Sequence, residues 1–222
     1  MRRILLYCLL GQILPAFLLY AEEKGHMRAA LALKSLSSLY FVLLGLSLMS
    51  RCQDPRYAHL ILAGLVLGMA GDILLNLCHL IKENRPVFLL GGTLFLAGHI
   101  LYLIALLPAV TDSTFMLITA ALIFLCDSLY VFYHSTGDRV FRILMAVYLL
   151  AVVLVTVAGI AFLRENPGLR RAQLAAAGAL FFLLSDTFLC KNMLNNGRYR
   201  FLRFSLMILY YLGQTLIALS LG

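Results

Sequence analysis

The sequence predicts an all-α fold, a polytopic bundle of about eight membrane-spanning helices. Three observations predict it. The chain is 63% hydrophobic, with a mean hydropathy of +0.95 and only 13% charged residues, far outside the range of soluble domains. Its apolar residues fall in runs of about 20, the length an α-helix needs to cross roughly 30 Å of hydrocarbon. The breaks between runs are too short to hold a soluble domain, so residues 1–222 are expected to form a single transmembrane domain. A membrane β-barrel is excluded because continuous runs such as 147–157 lack the apolar-polar alternation of barrel strands.

The first run, 4–21, follows Arg2 and Arg3 and resembles a leader. It is read as a span because Leu19 stands where a cleavage site ending at Ala21 prefers a small residue. A charged turn at 22–28 leads to the second run, 31–50, and a break around Pro55 to the third, 57–78. Lys82 to Pro86 separates the fourth, 87–107, and Pro108 to Asp112 the fifth, 113–134. The sixth, 139–163, starts after Gly137, the seventh, 169–191, after Gly168, and the eighth, 201–221, after Asn195 to Arg200. The five cysteines stand singly, without zinc spacing or a disulfide framework, and read as packing residues.

The net charge of +8 is best read through topology, since short cytoplasmic loops carry excess Lys and Arg. Nothing in it points to nucleic acid. Eleven basic residues fall on the side of Lys82 and seven on the side of the termini, which favours the Lys82 side inside, although Arg2 and Arg3 pull the other way. The chain is expected to be a multi-pass integral membrane protein surrounded by membrane lipid, in the cell membrane if it is bacterial. Its oligomeric state is not written in the sequence.

Polar residues inside the runs are the functional clue. Asp72 and Asp186 lie deep in spans with no opposite charge beside them in sequence. A charge at the centre of a span costs about 2.5 to 3.5 kcal/mol on insertion scales, so an intramembrane carboxyl is a candidate functional group. Both lie five or six residues from the ends facing the Lys82 side, hence at matching depth, roughly 8 to 9 Å below one surface. Asp127 in helix 5 and Lys34, three residues into helix 2, approach from the same face. Asn76 lies one turn beyond Asp72, Tyr148 enters from that side, and His99 and Gln214 reach the bilayer middle. A polar pocket opening toward one leaflet is expected. Gly71-Asp72-Ile73-Leu74-Leu75 is echoed by Ser185-Asp186-Thr187-Phe188-Leu189, each followed 27 or 28 residues later by His99 or Gln214, as in two parallel four-helix repeats.

Four blocks carry a resemblance. They are Gly71 to Leu75, Phe95 to Tyr102, Gly178 to Leu189 and Tyr210 to Ala218, with Lys34 and Val147-Tyr148 as weaker positions. In order and in an eight-helix frame, they resemble the signature blocks of the YhhN-like lysoplasmalogenase family. Ser35 and Gly213 depart from it, standing where the family often has Pro and Ala.

The resemblance implies a hydrolase that cleaves the vinyl ether of lysoplasmalogens, alkenyl glycerophospholipids with an ethanolamine or choline head, releasing a fatty aldehyde. It implies a lysophospholipid substrate and no cofactor. Such chemistry needs a carboxylic acid to protonate the alkene and a carboxylate to stabilise the oxocarbenium ion and draw a proton from water. Asp72 and Asp186 are expected to share these roles, the assignment left open. His99, Tyr211 or Gln214 would orient water or the ether oxygen, Asn76, Tyr102 and Tyr148 would line the substrate site, and Lys34 would meet the headgroup phosphate.

Each residue has a plainer reading. Either aspartate can pair with a lysine or cap a broken turn, His99 can be an interhelical hydrogen bonder, Lys34 can snorkel, and Gln214 and Tyr102 can be packing glue. Two rival functions stand beside the first. His79, His99 and His134 with the two aspartates have the ligand types of a metal-dependent lipid hydrolase, though none has i, i+4 spacing. Buried acids on parallel repeats also suit a small-molecule or proton-coupled transporter.

Overall fold

The computed structural model describes residues 2–81, 84–134, 139–194 and 200–222, and the regular structure among them is entirely helical. Eight α-helices follow in order: α1 (Arg2–Glu23), α2 (Met27–Met49), α3 (Pro55–Leu80), α4 (Arg85–Leu106), α5 (Ser113–His134), α6 (Arg139–Glu165), α7 (Arg170–Leu194) and α8 (Arg200–Leu219). Seven are long and apolar enough to cross a membrane, and α5 is apolar over Ser113–Leu129. Positions 82–83, 135–138 and 195–199 lie outside the described residues, as do the side chains of His79 and His134.

The helix starts follow local chemistry. Asp54 caps α3 by accepting from the Tyr57 amide at 3.0 Å, with Pro55 in the first turn, where its missing N–H costs nothing. Asn84 caps α4 through the Val87 amide at 3.2 Å, and Asp112 caps the start of α5 through Phe115 at 2.9 Å. Gly25 supplies a left-handed turn, φ 73°, that reverses the chain after α1. Because of that tight turn α2 begins at Met27, four residues before its apolar run does, and Lys34 lies seven residues inside the helix instead of three. It is sunk about 10 Å from the helix start, too deep for the shallow position expected of it.

Neighbouring helices form a ring. α2 packs on α3, α3 on α4, α4 on α6, α6 on α7, α7 on α8, and α8 closes back on α2 and α3. α1 covers α2 and α8 from outside, while α5 covers α6 and α7. At the end where α1 finishes and α8 starts, Glu22 pairs with Arg203 and Glu23 with Arg200. At the opposite end the Tyr57 and Ser220 hydroxyls are 2.7 Å apart, with the Arg171 guanidinium over the Tyr57 ring.

Glycine brings two pairs of backbones together, and they are related. A Cβ on Gly98 would lie 3.1 Å from the Gly64 carbonyl, and a Cβ on Gly178 would lie 2.9 Å from the Gly213 carbonyl. Gly64 stands eight residues before Asp72 and Gly178 eight before Asp186. Gly98 directly precedes His99 and Gly213 directly precedes Gln214. The α3–α4 and α7–α8 hairpins therefore use the same close contact at the same distance from their polar residues, the small-residue packing expected between membrane helices. The faint repeat in sequence is a repeat in packing.

Candidate active site

Helix direction sets the level of each polar side chain. Asp72 stands eight residues before the end of α3 and Asp186 eight before the end of α7, about 12 Å in. Lys34, Tyr148 and Tyr210 come in from the starts of α2, α6 and α8 to nearly the same level, seven, nine and ten residues along. His99 and Gln214 are each fourteen residues from the starts of α4 and α8, hence deeper. The shared depth read from sequence holds, displaced inward because the helices outlast their apolar runs.

Around Asp72 three donors converge. Ser38 Oγ and the Tyr210 hydroxyl each donate to Oδ2 at 2.6 Å, and Lys34 Nζ lies 3.4 Å from Oδ1. Asp72 is 2% exposed, so the ammonium and the two hydroxyls replace the water a carboxylate would otherwise need. The lysine that the sequence placed near the headgroups thus sits beside the aspartate. Ser38 and Tyr210 were not singled out in the sequence, yet the signal existed. Ser38 is one turn after Lys34, and Tyr210 one turn before Gln214, so each shares a face with a residue already marked.

Asp186, 3% exposed, receives a different set. The Tyr148 hydroxyl donates to its Oδ2 at 2.7 Å, and no Lys or Arg among the described residues lies within ion-pair distance of it. Two aspartates at one depth therefore occupy unlike surroundings, one facing a cation and two hydroxyls, the other a single neutral hydroxyl.

His99 lies beside Tyr148, the partner of Asp186. Its Nδ1 is 2.8 Å from the Phe95 carbonyl, which can only accept, so Nδ1 carries the proton and Nε2 of the neutral ring is left as an acceptor. The ring lies edge-on to Tyr148 at 5.4 Å and to Phe182 at 4.5 Å, and Phe182 in turn meets Tyr210 at 5.3 Å. Beneath, the Tyr102 hydroxyl donates to Gln214 Oε1 at 2.9 Å, and Gln214 Nε2 reaches the Tyr210 hydroxyl at 3.5 Å. A hydrogen-bonded chain from Tyr102 through Gln214 and Tyr210 ends on Asp72. Tyr211 is buried with its hydroxyl unpartnered among the described residues, and Asn76 is buried one turn beyond Asp72.

A family model matches residues 29–221, described as the YhhN family. The match covers well over half of the sequence. The chain belongs to the YhhN family. No curated protein and no solved structure matches it. In this YhhN-family chain the matched region takes in α3, α4, α6, α7 and α8, and with them Asp72, His99, Tyr148, Asp186 and Gln214. It begins just ahead of Lys34.

Proposed function

We propose that the protein is a membrane-embedded hydrolase that cleaves the vinyl ether bond of lysoplasmalogens. The observation that carries this reading is the unlike pairing of Asp72 and Asp186 at one depth. Asp72, faced by Lys34, Ser38 and Tyr210, is the fixed anion. Asp186, faced by one neutral hydroxyl, is the proton donor.

In the reaction Asp186 gives its proton to the alkene carbon remote from the ether oxygen, leaving an oxocarbenium ion at the carbon bonded to that oxygen. Asp72 stabilises that cation by its charge. Water adds at the cationic carbon, and the Asp186 carboxylate takes its proton, which restores the acid. His99 Nε2, as an acceptor, orients that water. The hemiacetal then collapses to a fatty aldehyde and a free glycerol hydroxyl, so vinyl ether plus water balances aldehyde plus alcohol. A single-chain lipid can keep its head at the basic face and slide its tail between helices.

Purified protein in lipid nanodiscs is tested with alkenyl, alkyl and acyl lysophospholipids of the same chain length. Aldehyde from the alkenyl lipid alone is the expected result. Fatty acid from the acyl lipid would make the protein an esterase and end this reading.

A further inference from the structure

The site described so far uses no residue of α5, although α5 lies against α6 and α7. Phe124 of α5 and Met145 of α6 pack against Leu149 and Cys190, with Met145 Sδ 3.7 Å from Cys190 Sγ. Cys190 is one turn beyond Asp186, and both Asp186 and Asp127 lie within electrostatic reach of it. Polar side chains lie on the loop side of this apolar contact. Asp127 and Ser128 come three and four residues after Phe124, and Arg142 three before Met145, so all three continue the faces that meet there.

Each of the three has a buried polar atom without a hydrogen-bond partner among the described residues: Asp127 Oδ2, Ser128 Oγ and Arg142 Nε. Arg142 forms no ion pair with a described carboxylate. A buried donor or acceptor left unmade is costly, more so when charged, and three together on adjoining faces point to a ligand that completes them. Their levels are graded. Asp186 is about 12 Å from its helix end, Asp127, seven residues before His134, about 10 Å, and Arg142, three residues after Arg139, about 4 to 5 Å.

We propose that Arg142, Ser128 and Asp127 form the subsite for the glycerophosphate unit of a lysophospholipid. This rests on the reading above and names how the substrate is held. The order along the ligand matches the order in depth. The ether carbon sits at Asp186, the next carbon bears a free hydroxyl that donates to Asp127, and the phosphate on the third carbon takes the Arg142 guanidinium, a fork suited to bidentate phosphate contact. Ser128 donates to the same phosphate. An unpaired carboxylate oxygen at the middle position selects a lipid whose second carbon carries a hydroxyl over one whose second carbon is blocked.

The test is equilibrium binding of uncleavable 1-O-alkyl lysophosphocholine and its 2-O-methyl analogue to the full chain in detergent. The wild type is expected to bind the free-hydroxyl lipid about tenfold more tightly. D127A is expected to bind both alike, and R142Q to weaken both about tenfold with their ratio kept. If D127A does not fold, the isosteric D127N replaces it and is expected to shrink the ratio. A ratio unchanged in the Asp127 variant, or affinities unchanged in R142Q, overturns the proposal. Tailless glycerophosphocholine is expected not to displace the lipid at equal concentration, and if it does, the site belongs to a soluble ligand and the proposal falls. The binding pattern without aldehyde from alkenyl lipid would sink the proposed reaction and leave this subsite standing.

Discussion

The Tyr148 hydroxyl donates to Asp186 at 2.7 Å from a position 38 residues upstream. Lys34 stands the same 38 residues before Asp72, on the equivalent helix of the first hairpin set. The two halves of the bundle thus present one arrangement, an aspartate met by a donor from the preceding helix. They differ in the donor's charge and in the two further hydroxyls at Asp72, and on the function proposed above that difference would divide the work between the two acids.

Giving Asp186 a cation should abolish the division. Tyr148→Lys is expected to stay folded and to lose at least about 100-fold in aldehyde release, while Tyr148→Phe loses about tenfold. Initial rates on alkenyl lysophospholipid decide it, and a lysine variant as fast as the wild type contradicts the assignment of Asp186 as donor.

Removing either carboxyl should be severe. Asp186→Asn and Asp72→Asn are each expected to lower the rate by about 10²- to 10⁴-fold, the range of a lost acid-base or electrostatic group. Bound uncleavable lipid serves as the control for an intact site.

Lys34 should matter for stability as well as rate. Lys34→Met leaves Asp72 facing only two hydroxyls, and breaking a buried pair costs about 3 kcal/mol or more. Thermal unfolding in detergent is expected to fall, and the double variant Lys34→Met with Asp72→Asn to recover much of the loss. Equal unfolding of single variant and wild type would mean the pair contributes nothing.

The glycine contacts should tolerate no methyl group. Gly64→Ala places a Cβ against the Tyr102 ring, and Gly178→Ala places one against the Gly213 carbonyl. Each is expected to destabilise by about 1 to 3 kcal/mol through overpacking. Gly92, whose Cβ would meet nothing within 4 Å, is the neutral comparison.

Much of the fold was legible, because hydrocarbon demands long apolar helices and leaves little choice of element. The eight runs and the matching depth of Asp72 and Asp186 came from that constraint. The Lys34–Asp72 pair did not, since α2 starts at Met27 only through the Gly25 turn, and apolarity cannot see a helical turn made of Arg28 to Ala30. Ser38 and Tyr210 escaped for another reason. A hydroxyl in a membrane helix commonly bonds its own backbone, as Ser37 does to Leu33, and nothing local distinguishes one that reaches across to another helix. The glycine repeat escaped as well, because its meaning depends on which carbonyl lies opposite, and that only the packing shows.

The Lys34–Asp72 pair also bears on how the chain enters its bilayer. Each charge alone at such depth opposes partitioning by about 2.5 to 3.5 kcal/mol at the centre of a span, and together they largely cancel. α2 and α3 are joined by a turn of only five residues, 50–54, so the two segments can meet before either is released into oil. Biogenesis is therefore most favourable when this helical hairpin leaves the insertion machinery as one unit, already neutral.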